Sequence, residues 1–244
     1  MTESALVPLT AHRWALYFAP AADSPWARAG ACWLGRDADG ISIVPLQPPS
    51  GWGIAQWSHV LSAPRRYGWH ATLRAPWRLA AEYTWSDLSH AVLDLAGEFT
   101  AFELPVLRVQ PLAGFLALCL TQRCEPLERL AGRCVAALQP FAAPLTSAEI
   151  ERYRNQGLSE RQHVQLCRWG YPYVWDDYRF HMTLTDRLDS LSPEQRAGLL
   201  SHAQACFDGL PQPVCFDALS LFVEPEAGAA LRRVLRVPLG VRSK

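Results

Sequence analysis

The chain carries one short pattern twice: an aromatic residue, then His, a variable residue, Thr and Leu, at residues 69–73 and again at residues 180–184. These are called here the first and the second motif. Side chains on a β-strand alternate between its two faces, so a His and a Thr two positions apart share a face. Each motif therefore predicts a strand that presents an imidazole and a hydroxyl on one face and apolar side chains on the other.

The elements that follow the two motifs repeat in the same order, a helix and then a pair of strands. Helices are predicted over 85–99 and about 193–207, and strand pairs at 102–109 with 115–121 and at 214–223 with 231–238. The two motif histidines are 111 residues apart, close to half of the 244 residues. We therefore predict an internal duplication and an α+β fold. Residues 1–244 would form a single bilobal domain with a pseudo-twofold, in which two antiparallel sheets line a central cleft and helices lie outside.

Helix starts are marked by polar residues at capping spacing. Thr146 with Glu149 and Ser159 with Gln162 are the pairs expected at an N-cap and the third helical position, and Ser192 precedes a proline. A further helix over 54–61 is expected to end before a proline at position 64, and the first motif strand, about 68–74, is expected to end at a proline at position 76.

Composition narrows the classes of function. Half of the residues are hydrophobic and 19% are charged, which is typical of a globular, soluble chain. The formal net charge is zero and the pI is about 7.0, so neither duplex nucleic acid nor an anionic membrane is an expected partner. No run of eighteen apolar residues predicts a membrane span, and the first ten residues lack a signal-peptide pattern.

The cysteines and the single lysine exclude further kinds of chemistry. The seven cysteines are odd in number and none has zinc-ligand spacing, so we expect reduced thiols in a cytoplasmic protein with no metal and no cofactor. Lys244 is the only lysine, which disfavours lysine-nucleophile chemistry. The sequence does not indicate whether the protein is a monomer or an oligomer.

The paired motifs supply the groups that in-line attack on a phosphodiester needs. Of His70 and His181, one would activate water and the other would protonate the departing oxygen, without a metal. Thr72 and Thr183 would donate hydrogen bonds to the non-bridging oxygens, where charge develops. The sequence leaves open which histidine is the acid and which is the base.

Five further residues are candidates for binding a phosphorylated small molecule. By alternation, Arg74 shares the face of the first motif and Arg179 shares that of the second, where each could neutralise phosphate. Arg66 and Tyr67 precede the first motif, and Tyr173 lies in an aromatic loop, residues 169–178, that could stack on a sugar or base. The alternatives are that the arginines turn into solvent at strand ends and that the loop aromatics fill the space between the lobes.

The paired motifs resemble those of the two-histidine (2H) phosphoesterase superfamily. Residues 66–79 (RYGWHATLRAPWRL), 168–174 (RWGYPYV) and 180–185 (FHMTLT) look like the signatures of its uncharacterised branch encoded in phosphonate-utilisation operons, and 33–37 and 221–225 fit its early and late segments. The resemblance covers nearly the whole chain. Trp69 and Arg74 stand where Phe and Lys are expected, and both replacements keep the chemical character.

This resemblance implies the bilobal fold and the catalytic roles of the motif residues, and it implies a setting in phosphonate breakdown. There, a phosphoribosyl cyclic phosphate must be opened, and a metal-independent cyclic phosphodiesterase acting on a small phosphorylated sugar fits that step. Two alternatives remain at this point. One is an RNA-end enzyme for 2′,3′-cyclic phosphates or 2′-5′ linkages, which the zero net charge disfavours. The other is a non-catalytic protein that binds a phosphorylated metabolite.

Overall fold

The structure, a computed structural model, describes residues 11–241. Within this range the chain forms eight α-helices and nine β-strands. The helices are α1 (Pro25–Leu34), α2 (Ile54–Val60), α3 (Ser62–Tyr67), α4 (Trp85–Gly97), α5 (Glu125–Leu138), α6 (Ser147–Arg154), α7 (Glu160–Trp169) and α8 (Pro193–Phe207). The strands are β1 (Arg13–Phe18), β2 (Ala71–Trp77), β3 (Phe102–Glu103), β4 (Leu107–Leu112), β5 (Phe115–Leu120), β6 (His181–Thr183), β7 (Cys215–Phe216), β8 (Ala218–Glu224) and β9 (Arg232–Pro238).

Seven strands form one antiparallel sheet in the order β4-β5-β6-β2-β1-β8-β9, and β3 pairs with β7 separately. The strand of the second motif, β6, lies beside that of the first motif, β2, in the middle of the sheet. β4 and β5, which follow the first motif in the chain, extend the sheet beyond β6, whereas β8 and β9, which follow the second, extend it beyond β1. The two motifs therefore meet at a seam between strands from the two halves of the chain.

The two faces of the sheet are packed differently. One face carries the main hydrophobic core, to which β1 contributes Trp14, Leu16 and Phe18 and which includes apolar side chains of α4, α5 and α8. The other face carries a smaller buried cluster that includes Ala15 and Tyr17. This alternation along β1 follows from the period of two of a strand, and it defines the face of Tyr17 as the one opposite the main core.

The helix starts agree with the sequence. Four helices begin with a capping box, in which the hydroxyl of the N-cap residue and the side chain three positions later each accept a backbone N–H. The helix expected over 54–61 is found as α2, which ends at Val60, before Pro64. A separate short helix that the sequence did not predict, α3, begins at Ser62, and Pro64 lies in its first turn, where a backbone N–H needs no helical partner. The expected strand end at Pro76 is wrong, because β2 continues through Pro76 to Trp77.

The α+β class and the antiparallel pairing are as predicted, but the sheet arrangement differs from two sheets facing each other across a cleft. Strands β4, β5 and β6 on one side and β2, β1, β8 and β9 on the other are joined edge to edge by the pairing of Ala71 with Met182. Among the helices of residues 11–241, none has the length and apolar character that a membrane crossing requires. All seven cysteines are free thiols.

Candidate active site

The two motifs are brought together by strand pairing. Ala71 of β2 pairs with Met182 of β6, and both are fully buried in the sheet. The neighbours of these two residues therefore point to the opposite face, and antiparallel pairing places the His of each motif across from the Thr of the other. Two imidazoles and two hydroxyls are thus gathered around one point, as alternation along each strand predicts.

Both imidazoles are oriented in the same way by the backbone. Nδ1 of His70 lies 2.8 Å from the carbonyl oxygen of Gly68, and Nδ1 of His181 lies 2.8 Å from that of Arg179. A carbonyl only accepts, so each Nδ1 carries a proton and donates it, which leaves Nε2 as the basic nitrogen of the neutral ring. Gly68 has φ of +80°, a conformation that a side chain would strain. Nε2 of His70 lies 3.3 Å from Oγ1 of Thr72.

The aromatic residue before each histidine anchors its strand in the core. Trp69 is buried, stacks on Phe207 with ring centroids 5.3 Å apart, and passes so close to Gly30 that a Cβ there would lie 2.1 Å from the indole. Phe180 is buried as well and packs on Phe18, with ring centroids 5.9 Å apart. The repeated aromatic therefore fixes the position from which each imidazole projects.

A cavity of about 310 Å³, called here the motif cavity, opens beside three of the four motif side chains, and His181 is not among those that line it. It is lined by His70, Thr72 and Thr183, and by Tyr17, whose ring stacks on the His70 imidazole with centroids 3.8 Å apart. Phe115 lines it too and lies 5.8 Å from the His181 ring, between centroids. The other lining side chains are Ala63, Pro64, Tyr67, Ala75, Pro76, Tyr153, Tyr171, Thr185, Asp186 and Arg187.

Burial sets the protonation states of the site. Burial and, to a smaller extent, the nearby His181 together lower the pKa of His70 to about 4, and the hydrogen bond to the Gly68 carbonyl opposes them. Burial also lowers the pKa of His181, opposed by the Arg179 carbonyl. The pKa values of Tyr17 and Tyr171 are raised by burial, so both phenols keep their protons. At neutral pH the free site therefore presents neutral imidazoles and hydroxyl donors.

The predicted position of Arg74 beside His70 is wrong. Tyr17 pairs with Thr72, but Leu16 pairs with Arg74, so Leu73 is an extra residue in β2. Such a bulge reverses the alternation beyond it, and Arg74 points to the main-core face. There its guanidinium donates to the carbonyl oxygen of Val135 in α5.

Three other binding candidates also lie elsewhere. Arg66 forms an ion pair of 2.5 Å with the fully buried carboxylate of Glu224. Arg179 donates to two backbone carbonyls of its own turn and lines a separate cavity of about 720 Å³. Tyr173 packs on Tyr171, with ring centroids 5.5 Å apart, and it is Tyr171 that reaches the motif cavity. Tyr67 does line the motif cavity.

The residues missed by sequence reasoning come from elements distant in the chain. Tyr17 lies in an apolar run on β1, and its place under His70 depends on the register with β2, which the sequence does not reveal. Tyr153 lies on α6 and reaches the cavity through helix packing. Among residues 11–241, no group of three or more His, Cys, Asp or Glu side chains is arranged to hold a metal ion.

Residues 72–232 match a protein family described as "Protein of unknown function (DUF1045)". Two similar curated proteins are both named "Ribose 1,5-bisphosphate phosphokinase PhnN". The one from Janthinobacterium sp. (strain Marseille) is 39% identical over 230 residues, and the one from Laribacter hongkongensis (strain HLHK9) is 43% identical over 222 residues. The alignments cover 93% and 90% of this chain but 50% of each relative, so the chain spans half the length of the curated relatives it matches.

Solved structures show a weaker similarity. E. coli LigT complexed with 3′-AMP is 13% identical with a TM-score of 0.42, over 94% of this chain and 99% of that one. A structure described as a phosphoesterase is 14% identical with a TM-score of 0.43, over the same shares of the two chains.

The family match, by contrast, spans well over half of the chain and includes the second motif and Thr72 of the first. The chain therefore belongs to the DUF1045 family, which confirms the family resemblance identified from its two motifs.

Proposed function

We propose that this protein is a phosphodiesterase that opens the cyclic phosphate of a small phosphorylated sugar by attack of water. One observation carries the proposal: two imidazoles tethered through Nδ1 and two threonine hydroxyls share one face of the sheet, where His70 and both threonines line a cavity. In-line displacement at phosphorus requires a base, an acid on the opposite side and donors to the oxygens between.

The burial of the two histidines supports an assignment of their roles. His70, whose pKa is about 4, stays neutral and takes a proton from water through Nε2 as the water oxygen bonds to phosphorus. His181, protonated on both nitrogens when the anionic substrate binds, gives its Nε2 proton to the ring oxygen as the phosphorus–oxygen bond breaks. Thr72 and Thr183 donate to the non-bridging oxygens. The products are a phosphate monoester and a free hydroxyl.

The size and charge of the site favour a small substrate. A volume of about 310 Å³ is at the lower end for small-molecule sites, and the tyrosine rings in its wall suit a sugar. The net charge of zero offers no broad basic approach surface. The bilobal, pseudo-twofold arrangement within a single domain remains part of this proposal.

The names of the curated relatives support a phosphorylated ribose as the sugar. Their shared name contains ribose 1,5-bisphosphate, and the family resemblance implies a setting in phosphonate breakdown, so we choose phosphoribosyl 1,2-cyclic phosphate as the substrate to test. The kinase part of that name is not proposed for this chain, because a phosphate-binding P-loop requires a lysine after its glycines and Lys244 is the only lysine here.

Phosphorus NMR tests the proposal. Purified protein in chelator is mixed with phosphoribosyl 1,2-cyclic phosphate and, separately, with a nucleoside 2′,3′-cyclic phosphate. We expect conversion of the sugar substrate, reduced about 10²- to 10⁴-fold in both His70→Gln and His181→Gln. His59→Gln, which alters an exposed histidine on α2, is the matched control and should retain full activity.

The other outcomes separate the alternatives. Conversion of the nucleotide alone would assign the site to RNA ends. That second candidate is favoured by the open cavity of about 720 Å³ lined by Arg123, Arg179 and Trp175, which could hold a longer chain. Binding of the sugar substrate without turnover by any variant would contradict the enzyme and favour a phospho-metabolite-binding protein.

A further inference from the structure

A second cavity, of about 380 Å³ and called here the Arg74 cavity, adjoins the motif cavity. Ala75, Pro76 and Tyr171 line both cavities, so they form the boundary between them. The bulge in β2 creates this relationship, because it sends Ala75 to the side of the motif histidines and Arg74 to the other side. A molecule that reaches past the boundary would contact both cavities.

The Arg74 cavity contains a buried cation whose hydrogen-bond acceptors are neutral. Arg74 is 4% exposed, and it donates to the carbonyl oxygen of Val135 at 2.9 Å and to Oε1 of Gln139 at 3.0 Å. Its guanidinium carbon lies 4.9 Å from the Trp77 ring centroid. Within residues 11–241, neither Nε of Arg74 nor Nε1 of Trp77 has a hydrogen-bond partner.

The protein compensates only part of the charge of this guanidinium. Val135 and Gln139 lie at the C-terminal end of α5, where the helix dipole is negative and favours a cation. Burial nevertheless lowers the pKa of Arg74 to about 10, so desolvation outweighs its local interactions. An isolated charge is costly to bury, and an anion in the cavity would supply the missing counter-charge.

The rim of the Arg74 cavity adds one more cation and one carboxylate. Arg78 donates to the carbonyl oxygen of Pro144 at 2.6 Å and pairs with Glu149 at 3.1 Å, and both ionic side chains are partly exposed. Two guanidiniums and one carboxylate leave the lining with a net positive charge. The aromatic side chains of Trp77, Trp169 and Tyr171 form the wall.

We propose that the Arg74 cavity binds a second phosphate of the same substrate, a monoester distinct from the reacting diester. This inference rests on the proposed phosphodiesterase function and narrows its substrate to sugars that carry both a cyclic phosphodiester and a phosphate monoester. Arg74 supplies the planar donors that suit phosphate, Arg78 supplies a second cation at the rim, and the sugar lies across the boundary between the cavities.

The substrate preference is tested with ribose 1,2-cyclic phosphate prepared with and without a 5-phosphate. We expect wild-type protein to favour the phosphorylated form by about 10- to 100-fold in kcat/KM, the range for one or two hydrogen bonds to a charged group. Arg74→Met and Arg78→Gln should each bring this ratio toward one, mainly through KM. Arg133→Gln, which alters an exposed arginine of α5 paired with Glu98, should keep the ratio.

The carboxylate of Glu149 at the rim allows a substitution that should strengthen anion binding, whereas the arginine substitutions should weaken it. Glu149→Gln removes a competing negative charge and keeps the helix cap, since Gln also serves at the third position of a capping box. We expect this variant to raise the affinity for ribose 5-phosphate, measured by calorimetry. A cavity that holds no anion would leave the affinity unchanged.

The same calorimetry separates failure of the subsite from failure of the enzyme. Ribose 5-phosphate is titrated into the double variant His70→Gln/His181→Gln, with and without Arg74→Met, and circular dichroism establishes that each variant is folded. Equal turnover of both sugars, with ribose 5-phosphate binding insensitive to Arg74, Arg78 and Glu149, would overturn the subsite and leave the phosphodiesterase intact. Absence of turnover with binding that depends on Arg74 and Arg78 would overturn the phosphodiesterase and keep the anion site. Should Arg74→Met fail to fold, Arg78→Gln at the rim decides in its place.

Discussion

Burial of the His70 imidazole links the stability of the protein to pH. The pKa of His70 falls to about 4 in the folded protein, below the ordinary value of 6.5, because burial disfavours the charged ring. Between these two values the unfolded chain binds more protons than the folded one, so the free energy of unfolding decreases as the pH drops. From pH 7 to pH 4 we expect His70 alone to remove about 3 kcal/mol.

Urea unfolding of wild type and His70→Gln at pH values from 4 to 7 measures this contribution. Other groups titrate in the same range, so the informative quantity is the difference in unfolding free energy between the two proteins. It should change by about 3 kcal/mol across the range, whereas His59→Gln should follow wild type. A difference that stays constant with pH would contradict the proposed burial of His70.

At the scale of single residues, the sequence predicts the positions of those side chains that are set by residues nearby in the chain. The shared face of each His and Thr follows from the period of a strand, and the structure places them accordingly. Arg74 departs from the same rule because Leu73 bulges against β1, which lies far away in the sequence. The ion pair of Arg66 depends on a carboxylate 158 positions later.

At the scale of elements, the connection from α3 to β2 is held by the buried carboxylate of Glu224. It accepts hydrogen bonds from Arg13 and Arg66, and the backbone N–H of Gly228 also donates to it. Burial raises the pKa of Glu224, but these hydrogen bonds more than offset it and lower the pKa overall. Arg66 lies two residues before Gly68, whose carbonyl orients His70. The carboxylate thus positions the first motif without touching the motif cavity.

We expect Glu224→Gln to cost about 3 kcal/mol of stability, because it leaves two guanidiniums with a neutral partner in a buried site. Turnover in the phosphorus NMR assay should fall as well, since the connection from α3 to β2, which orients His70, loses the ion pair that holds it. Glu128→Gln is the control, because its ion pair with Arg123 is exposed and should contribute less than about 1 kcal/mol. Equal losses of unfolding free energy in Glu224→Gln and Glu128→Gln, measured by urea unfolding, would argue against this role of Glu224.

The elements themselves differ in how far the sequence predicts them. Capping boxes at Thr146 and Ser159 are local patterns and are found as expected. The order of strands is not local: β4 and β5 join β6, and β8 joins β1. The repeat of motif, helix and strand pair therefore predicts the pairing within each hairpin, β4 with β5 and β8 with β9, but not which strand each hairpin adjoins in the sheet.

At the scale of the whole molecule, this pairing interleaves the two halves of the chain. Strand β6, from the second half, lies between β5 and β2 from the first half, and β8 from the second half pairs with β1 from the first. Since each side of the seam contains strands from both halves, neither half of the chain can complete its part of the sheet alone. The interleaving supports the proposal of a single cooperative domain.

Cooperative unfolding tests that proposal. Leu118→Ala in β5 and Leu221→Ala in β8 each remove a fully buried side chain on opposite sides of the seam, at an expected cost of 2–5 kcal/mol. In one cooperative unit, each variant lowers the hydrogen-exchange protection of both hairpins, β4–β5 and β8–β9, by the same free energy, because their slowest amides exchange through the same global opening. Val164→Ala, at an exposed position of α7, should change neither. Loss of protection confined to the hairpin that carries the substitution would instead indicate two units that unfold independently on either side of the seam.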